Sequence, residues 1–202
     1  MIITFSGLDG SGKTTLIECL EKYFDSEKIS YRSCSIYGEL SIYAIIRKLR
    51  AFTSNDVTHS NNEKKDRSIT YKFFRNRNTK KLFLLIDIII LSFLKIYYFF
   101  SKKILIIDRY FYDFLMEVTD DIKFYQRFVC FLFPAANLSF FVETDPKVAF
   151  NRKGEYDIQT LSNRRKIYSE IFKYRPIDYI IENNDDSNAK QEIIRIIRLE
   201  LK

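Results

Sequence analysis

Met1 to Ser6 is a short apolar, β-prone run that ends at a glycine, and Thr14 to Lys28 then carries Leu16, Cys19, Leu20 and Tyr23 at helical intervals. The first unit therefore reads strand, loop, helix. Tyr31 to Tyr37 is a second strand candidate. Leu40 to Phe52 has apolar residues at helical spacing and gives way to the polar stretch Thr53 to Asn62, expected to be a disordered loop. Arg67 to Phe100 reads as helix, broken near the basic run Arg75 to Lys81, because one unbroken helix of that length would exceed the diameter of a small domain.

Lys103 to Ile107 is a third strand. Asp113 to Met116 and Ile122 to Phe133 have helical patterns, the second stopped by Pro134, and Leu138 to Val142 is a further β-rich run. Asp145 followed by Pro146 predicts a capped short helix through Phe150, and Arg152 to Asp157 reads as a charged loop around Gly154. Helix resumes near Ile158. Tyr179 to Ile181 closes the strand set, Glu182 to Asn188 is a polar turn, and Ala189 to Leu201 is a terminal amphipathic helix. Strands alternating with helices predict an α/β fold around a parallel sheet.

At 202 residues the chain fits one domain, with or without a mobile lid. A hydrophobic fraction of 47%, with 19 Phe and 14 Tyr, supplies a buried sheet covered by helices and excludes global disorder. The net charge of +7 raises the local concentration of phosphorylated ligands, nucleic acid or anionic head groups without choosing among them. A Lys-rich solvated surface accounts for most of it, and no nucleic-acid partner is expected.

Cys19, Cys34 and Cys130 are widely spaced and form no C-x-x-C pair, so neither a disulfide framework nor a zinc site is indicated, and a reducing cytoplasm fits. The apolar N-terminus runs straight into a glycine loop, unlike a signal peptide. Leu82 to Phe100 is as long as a membrane span, yet Asp87 and Lys95 interrupt it. It reads as a buried helix or a homodimer face without stable membrane insertion; membrane association is the alternative.

Gly7-Leu8-Asp9-Gly10-Ser11-Gly12-Lys13-Thr14 satisfies the full G-x-x-x-x-G-K-[ST] pattern between a predicted strand and a predicted helix. Such a loop turns the N–H groups of Gly7, Asp9, Gly10, Ser11, Gly12, Lys13, Thr14 and Thr15 toward the phosphates of ATP, with Lys13 on the outer phosphates and Thr14 on Mg²⁺. Lys103 to Asp108 is an apolar strand ending in a carboxylate, and in P-loop folds that carboxylate lies beside the loop and holds the metal directly or through water. Asp108 is the second metal candidate. Arg109 follows it and would lie near the transferred group, where a guanidinium can bind two phosphate oxygens.

The glycine loop with Asp9, the Asp108-Arg109-Tyr110 triplet, and Arg152 after Asp145-Pro146 together resemble the thymidylate kinase family over most of the chain. Asp108 to Asp113 and Arg152-Lys153-Gly154-Glu155 are similar to its divergent, thymidylate-kinase-like branch. The resemblance implies a three-layer P-loop NTPase fold, with a five-stranded parallel sheet in the nucleoside monophosphate kinase order and a lid over ATP. It also implies transfer of the γ-phosphoryl group to a monophosphate, dTMP first. Asp9, Glu39, Arg75, Arg109 and Tyr110 would meet the acceptor, and Lys13, Arg109, Arg152 and Asp9 would be the catalytic set.

Glu39 matches only the carboxylate of the family's Arg-Glu-Pro-Gly run, which is absent; Arg67, Arg75 and Arg77 are the candidates to replace its arginine. The lid, residues 152–160, carries Arg152 and Lys153, with Arg164 and Arg165 on the helix beyond as assistants, but Glu155, Tyr156 and Asp157 stand where family lids often add arginines. Two other functions fit the same motifs: a deoxynucleoside kinase, or a nucleotide-binding protein with little catalytic activity.

Overall fold

The computed structural model describes residues 1–36, 39, 77–118 and 123–201. The helix expected over Leu40 to Phe52, the loop at Thr53 to Asn62, and Arg67 and Arg75 lie outside them. In chain order the elements are β1 (Ile2–Gly7), α1 (Lys13–Ser26), β2 (Tyr31–Ser35), α2 (Arg77–Phe100), β3 (Ile104–Asp108), α3 (Phe111–Val118), α4 (Lys123–Leu132), β4 (Leu138–Glu143), α5 (Pro146–Lys153), α6 (Ile158–Phe172), β5 (Tyr179–Glu182) and α7 (Asp186–Glu200).

The strands form a five-stranded, all-parallel sheet in the order β2-β3-β1-β4-β5. Buried throughout, β1 reads as the continuous apolar run of a strand covered on both faces. On one face α1 and α7 bury Leu16, Leu20, Ile193 and Ile197 against Ile3, Phe5 and Phe140. On the other, α2, α3, α4 and α6 contribute Leu91, Leu115, Val129 and Tyr168 to a second cluster with Leu105, Ile107 and Phe141. This is the three-layer α/β architecture of P-loop NTPases. The register sets Phe5 against Asp108 and Gly7 against Val142, so the ends of β1, β3 and β4 meet at one edge of the sheet.

The described part of the basic run, from Arg77 on, is continuous with the helix to Phe100, and the residues before it lie outside the described ones. Two elements differ from their sequence pattern. The final helix starts at Asp186, ahead of the expected Ala189, because Asp185 caps it by accepting from the Ser187 amide at 3.1 Å. Arg152 and Lys153 lie in the last turn of α5 rather than on a loop: the Asp145 carboxylate accepts from the Lys147 amide at 2.7 Å, Pro146 occupies the first turn, and Gly154, at φ +63°, ends the helix. Two cations in the last turn of a helix also suit its dipole.

Along α2, Ile88, Leu91 and Tyr98 face the core with Leu85 and Leu94 against it, while Ile89, Phe93, Ile96 and Phe100 are exposed. Among the described residues no helix is long and apolar enough to cross a membrane.

Candidate phosphate-binding site

The loop between β1 and α1 is pressed between two neighbours, which explains its glycines. A Cβ on Gly10 would sit 2.3 Å from the Ala149 carbonyl oxygen, and one on Gly12 would sit 2.2 Å from Asn183 Nδ2. Both residues also hold positive φ, +84° and +88°, a region side chains disfavour. Lys13, the first residue of α1, is buried, and its Nζ donates to the carbonyls of Gly7 at 2.8 Å and Leu8 at 2.7 Å. A longer contact of 3.5 Å reaches Ser11 Oγ. Burial pulls the Lys13 pKa below the ordinary lysine value; the Asp113, Asp108 and Asp9 carboxylates act against that shift, and the Arg109 charge adds to it.

Asp9 is the hub of the cleft. Its carboxylate accepts from Arg109 on one oxygen and from Arg164 at 2.9 Å on the other, with Lys153 Nζ at 3.8 Å. Burial alone would raise its pKa, but the charges of Arg109 and Lys13, and the Arg109 hydrogen bond, outweigh that and hold it below the usual carboxylate range. The Arg164 guanidinium also lies over the Tyr156 ring, 3.7 Å from its centroid. Arg109 reaches Asp9 from a left-handed turn at φ +65°, closed by the Arg109 amide on the Phe5 carbonyl at 2.9 Å and by the Tyr110 amide on Asp113 Oδ2 at 3.2 Å. Such a conformation for a non-glycine residue is a local cost that packing must offset, and it marks functional turns.

Asp108 ends β3 with one carboxylate oxygen, Oδ1, buried and without a hydrogen-bond partner among the described residues. Burial raises its pKa, opposed by Lys13 and Arg109. An orphaned carboxylate oxygen in a cleft that Thr14 also lines suits a hard cation. Mg²⁺ is commonly held by one or two protein oxygens plus phosphates and water, a donor set that Thr14 and Asp108 could supply.

The cleft, about 410 Å³, is lined by Asp9, Gly10, Gly12, Lys13, Thr14, Thr15, Asp108, Arg109, Arg152 and Lys153, all but Lys153 candidate site residues on the sequence pattern. Arg152 is held by the turn after β5: NH1 donates to the Asn183 carbonyl at 2.9 Å and NH2 to that of Asn184 at 3.4 Å. Asn183, fully buried, donates from Nδ2 to the Ser11 carbonyl at 2.7 Å, and the Thr144 hydroxyl approaches the carbonyls of Ser11 and Asn183. The polar turn after β5 thus forms a wall of the phosphate loop.

Tyr110 and Glu39 do not join the cleft. Tyr110 is buried with its hydroxyl on the Pro134 carbonyl at 2.6 Å and its ring against Phe111 and Phe133; burial pushes its pKa up. Glu39 is exposed and pairs with Arg32 at 3.5 Å. Arg75 lies outside the described residues, as does the side chain of Arg77. Sequence reasoning missed Thr144 and Tyr168, which sit in no local motif that marks them, and gave Asp113 no role of its own beyond closing the Asp108 to Asp113 run.

The sequence matches no protein-family model and no curated protein. What bears on function is therefore the chemistry of the cleft: a glycine-rich loop, a buried lysine, an orphaned carboxylate oxygen, and cations gathered on one aspartate.

Proposed function

We propose that this chain is an ATP-dependent phosphotransferase that phosphorylates a nucleoside monophosphate, with dTMP the leading acceptor. The observation that carries the reading is the charge arrangement at the mouth of the loop. Arg109 and Arg164 bond to Asp9 with Lys153 beside it, next to a lysine buried in a glycine loop. Asp9 is shared by all three of these cations and Glu155 meets Lys153, so the cations outnumber the carboxylates paired with them and the cleft suits a ligand that brings negative charge. A nucleoside acceptor brings none; a monophosphate brings two, which favours the monophosphate over the deoxynucleoside kinase alternative. The choice of dTMP rests on the resemblance carried by Asp9, the Asp108-Arg109-Tyr110 triplet and Arg152.

In this reading the loop amides bind the polyphosphate of ATP, and Lys13 exchanges the Gly7 and Leu8 carbonyls for the outer phosphates. Mg²⁺, held through Thr14 and Asp108, would neutralise charge on the β- and γ-phosphates. An acceptor phosphate oxygen bonds to the γ-phosphorus as the bond to the β-phosphate bridging oxygen breaks, and ADP leaves. Arg109 and Arg164 orient the acceptor phosphate and offset charge on the transferred group. The reading includes a reducing cytoplasmic setting, supported by free Cys19, Cys34 and Cys130, and a homodimer as one use of the exposed α2 stripe.

A second reading, nucleotide binding with little transfer, is favoured by one feature: Arg152 is engaged on the Asn183 and Asn184 carbonyls, and Lys153 is paired with Glu155 at 2.7 Å. A panel of nucleosides and nucleoside monophosphates with γ-labelled ATP separates the readings. Labelled diphosphate from a monophosphate supports the proposal, labelled monophosphate from a nucleoside replaces it, and tight Mg·ATP binding without transfer supports the second reading.

A further inference from the structure

Two buried polar side chains outside the cleft form a continuous link to it. Asp113, fully buried in the first turn of α3, accepts from the Tyr110 amide on Oδ2 at 3.2 Å and from the Tyr168 hydroxyl on Oδ1 at 2.8 Å. The Tyr168 oxygen, fully buried on α6, also lies 3.3 Å from the Gly7 carbonyl oxygen, the same oxygen that accepts from Lys13 at 2.8 Å. One helical turn earlier on α6, Arg164 bonds to Asp9. So α6 meets the loop twice, at its first carbonyl and at its aspartate, and the Tyr168 contact is shared with the turn that aims Arg109.

A hydroxyl and a carboxylate buried together are costly unless satisfied, and an apolar pair would fill that space without the cost. We propose that the Asp113–Tyr168 pair is a positioning device that locks the Arg109 turn and helix α6, with Arg164, to the first carbonyl of the phosphate loop. It touches no reacting atom. It sets the spacing between the two guanidiniums and Lys13, where an error of about 1 Å lowers turnover by up to about 100-fold. This inference rests on the proposed phosphoryl transfer for its kinetic arm only.

The test uses the full-length chain with Tyr168→Phe, which removes the hydroxyl and keeps the ring against Phe141 and Phe172, and Asp113→Asn, which removes the charge and keeps an acceptor. Each variant is expected to lower kcat about tenfold while the Mg·ATP Kd stays within about twofold. Hydrogen exchange is expected to quicken in peptides covering residues 7–13 and 158–172 and to stay unchanged in α7. Wild-type kcat with wild-type exchange overturns the proposal. So does a uniform rise in exchange across all elements, or failure of both variants to fold, since either makes the pair a general stabiliser. If the wild-type chain transfers phosphate to no acceptor, the functional reading falls by itself, and the exchange pattern still decides the positioning role.

Discussion

In the proposed reading Lys13 is the side chain on which the site turns, because the loop holds it buried on the Gly7 and Leu8 carbonyls. Lys13→Ala is expected to lower turnover at least about 100-fold, the scale for losing a transition-state donor, read by labelled phosphate transfer at saturating ATP. Arg164 and Arg152 differ in their partners. Arg164 bonds to Asp9, whereas Arg152 bonds to the carbonyls of Asn183 and Asn184. Arg164→Ala is therefore expected to cut kcat more than Arg152→Ala, and Arg152→Ala to act mainly on the nucleotide Kd; equal effects on kcat would show that both serve the transferred group. Asp9 is held below the usual carboxylate range by Arg109 and Lys13 against its own burial. A depressed folded pKa contributes stability above the unfolded value of about 4, lost as pH falls through the folded value. Asp9→Asn should thus be less stable than the parent at pH 7 by about 1–3 kcal/mol in urea unfolding, and that gap should narrow below about pH 4.

At the scale of elements, the helix that carries Arg152 depends on its ends. Asp145→Ala removes the acceptor for the Lys147 amide and is expected to cost about 1 kcal/mol, measured by urea unfolding. The start of this helix was legible because Asp-Pro is a local signal; its end was not, because Gly154 reads equally as a loop residue or a left-handed cap. The strands and α1 were legible for a similar reason, since each is a periodic run bounded by Gly, Asp or a polar turn. The glycine loop was legible as a pattern because it is contiguous in sequence, and Asp108, Arg109, Arg152 and Arg164 were marked as candidates around it. The contacts that join the walls of the cleft were not legible. Arg164 comes to Asp9 and Tyr168 to Gly7 from α6, far along the chain, and Asn183 comes to Ser11 from the end of β5. Those contacts exist only once the parallel order β2-β3-β1-β4-β5 sets strand ends side by side, and no periodicity encodes them. Tyr110 shows the converse: its place beside Arg109 pointed to the acceptor, yet it faces the core because Arg109 takes the left-handed turn.

At the scale of the molecule, the phosphate loop is not an appendage but part of the packing between layers. Gly10 abuts α5, Gly12 abuts the turn before α7, and Gly7 is bonded to Tyr168 of α6. A ligand that orders the loop therefore stabilises elements on both faces of the sheet, and binding should register in global unfolding. Mg·ATP at 100 times its Kd adds about 2.7 kcal/mol to the folded state if it binds the unfolded chain negligibly. For a chain of this size that is a rise of about 5–10 °C in Tm, measured by scanning calorimetry. The shift should track the phosphates rather than the base: Mg·ATP and Mg·ADP raise Tm, adenosine at the same concentration raises it far less, and Lys13→Ala removes most of the difference. An equal shift with adenosine would mean that the cleft grips the nucleoside end, and the loop, the buried lysine and the cations on Asp9 would need a different ligand.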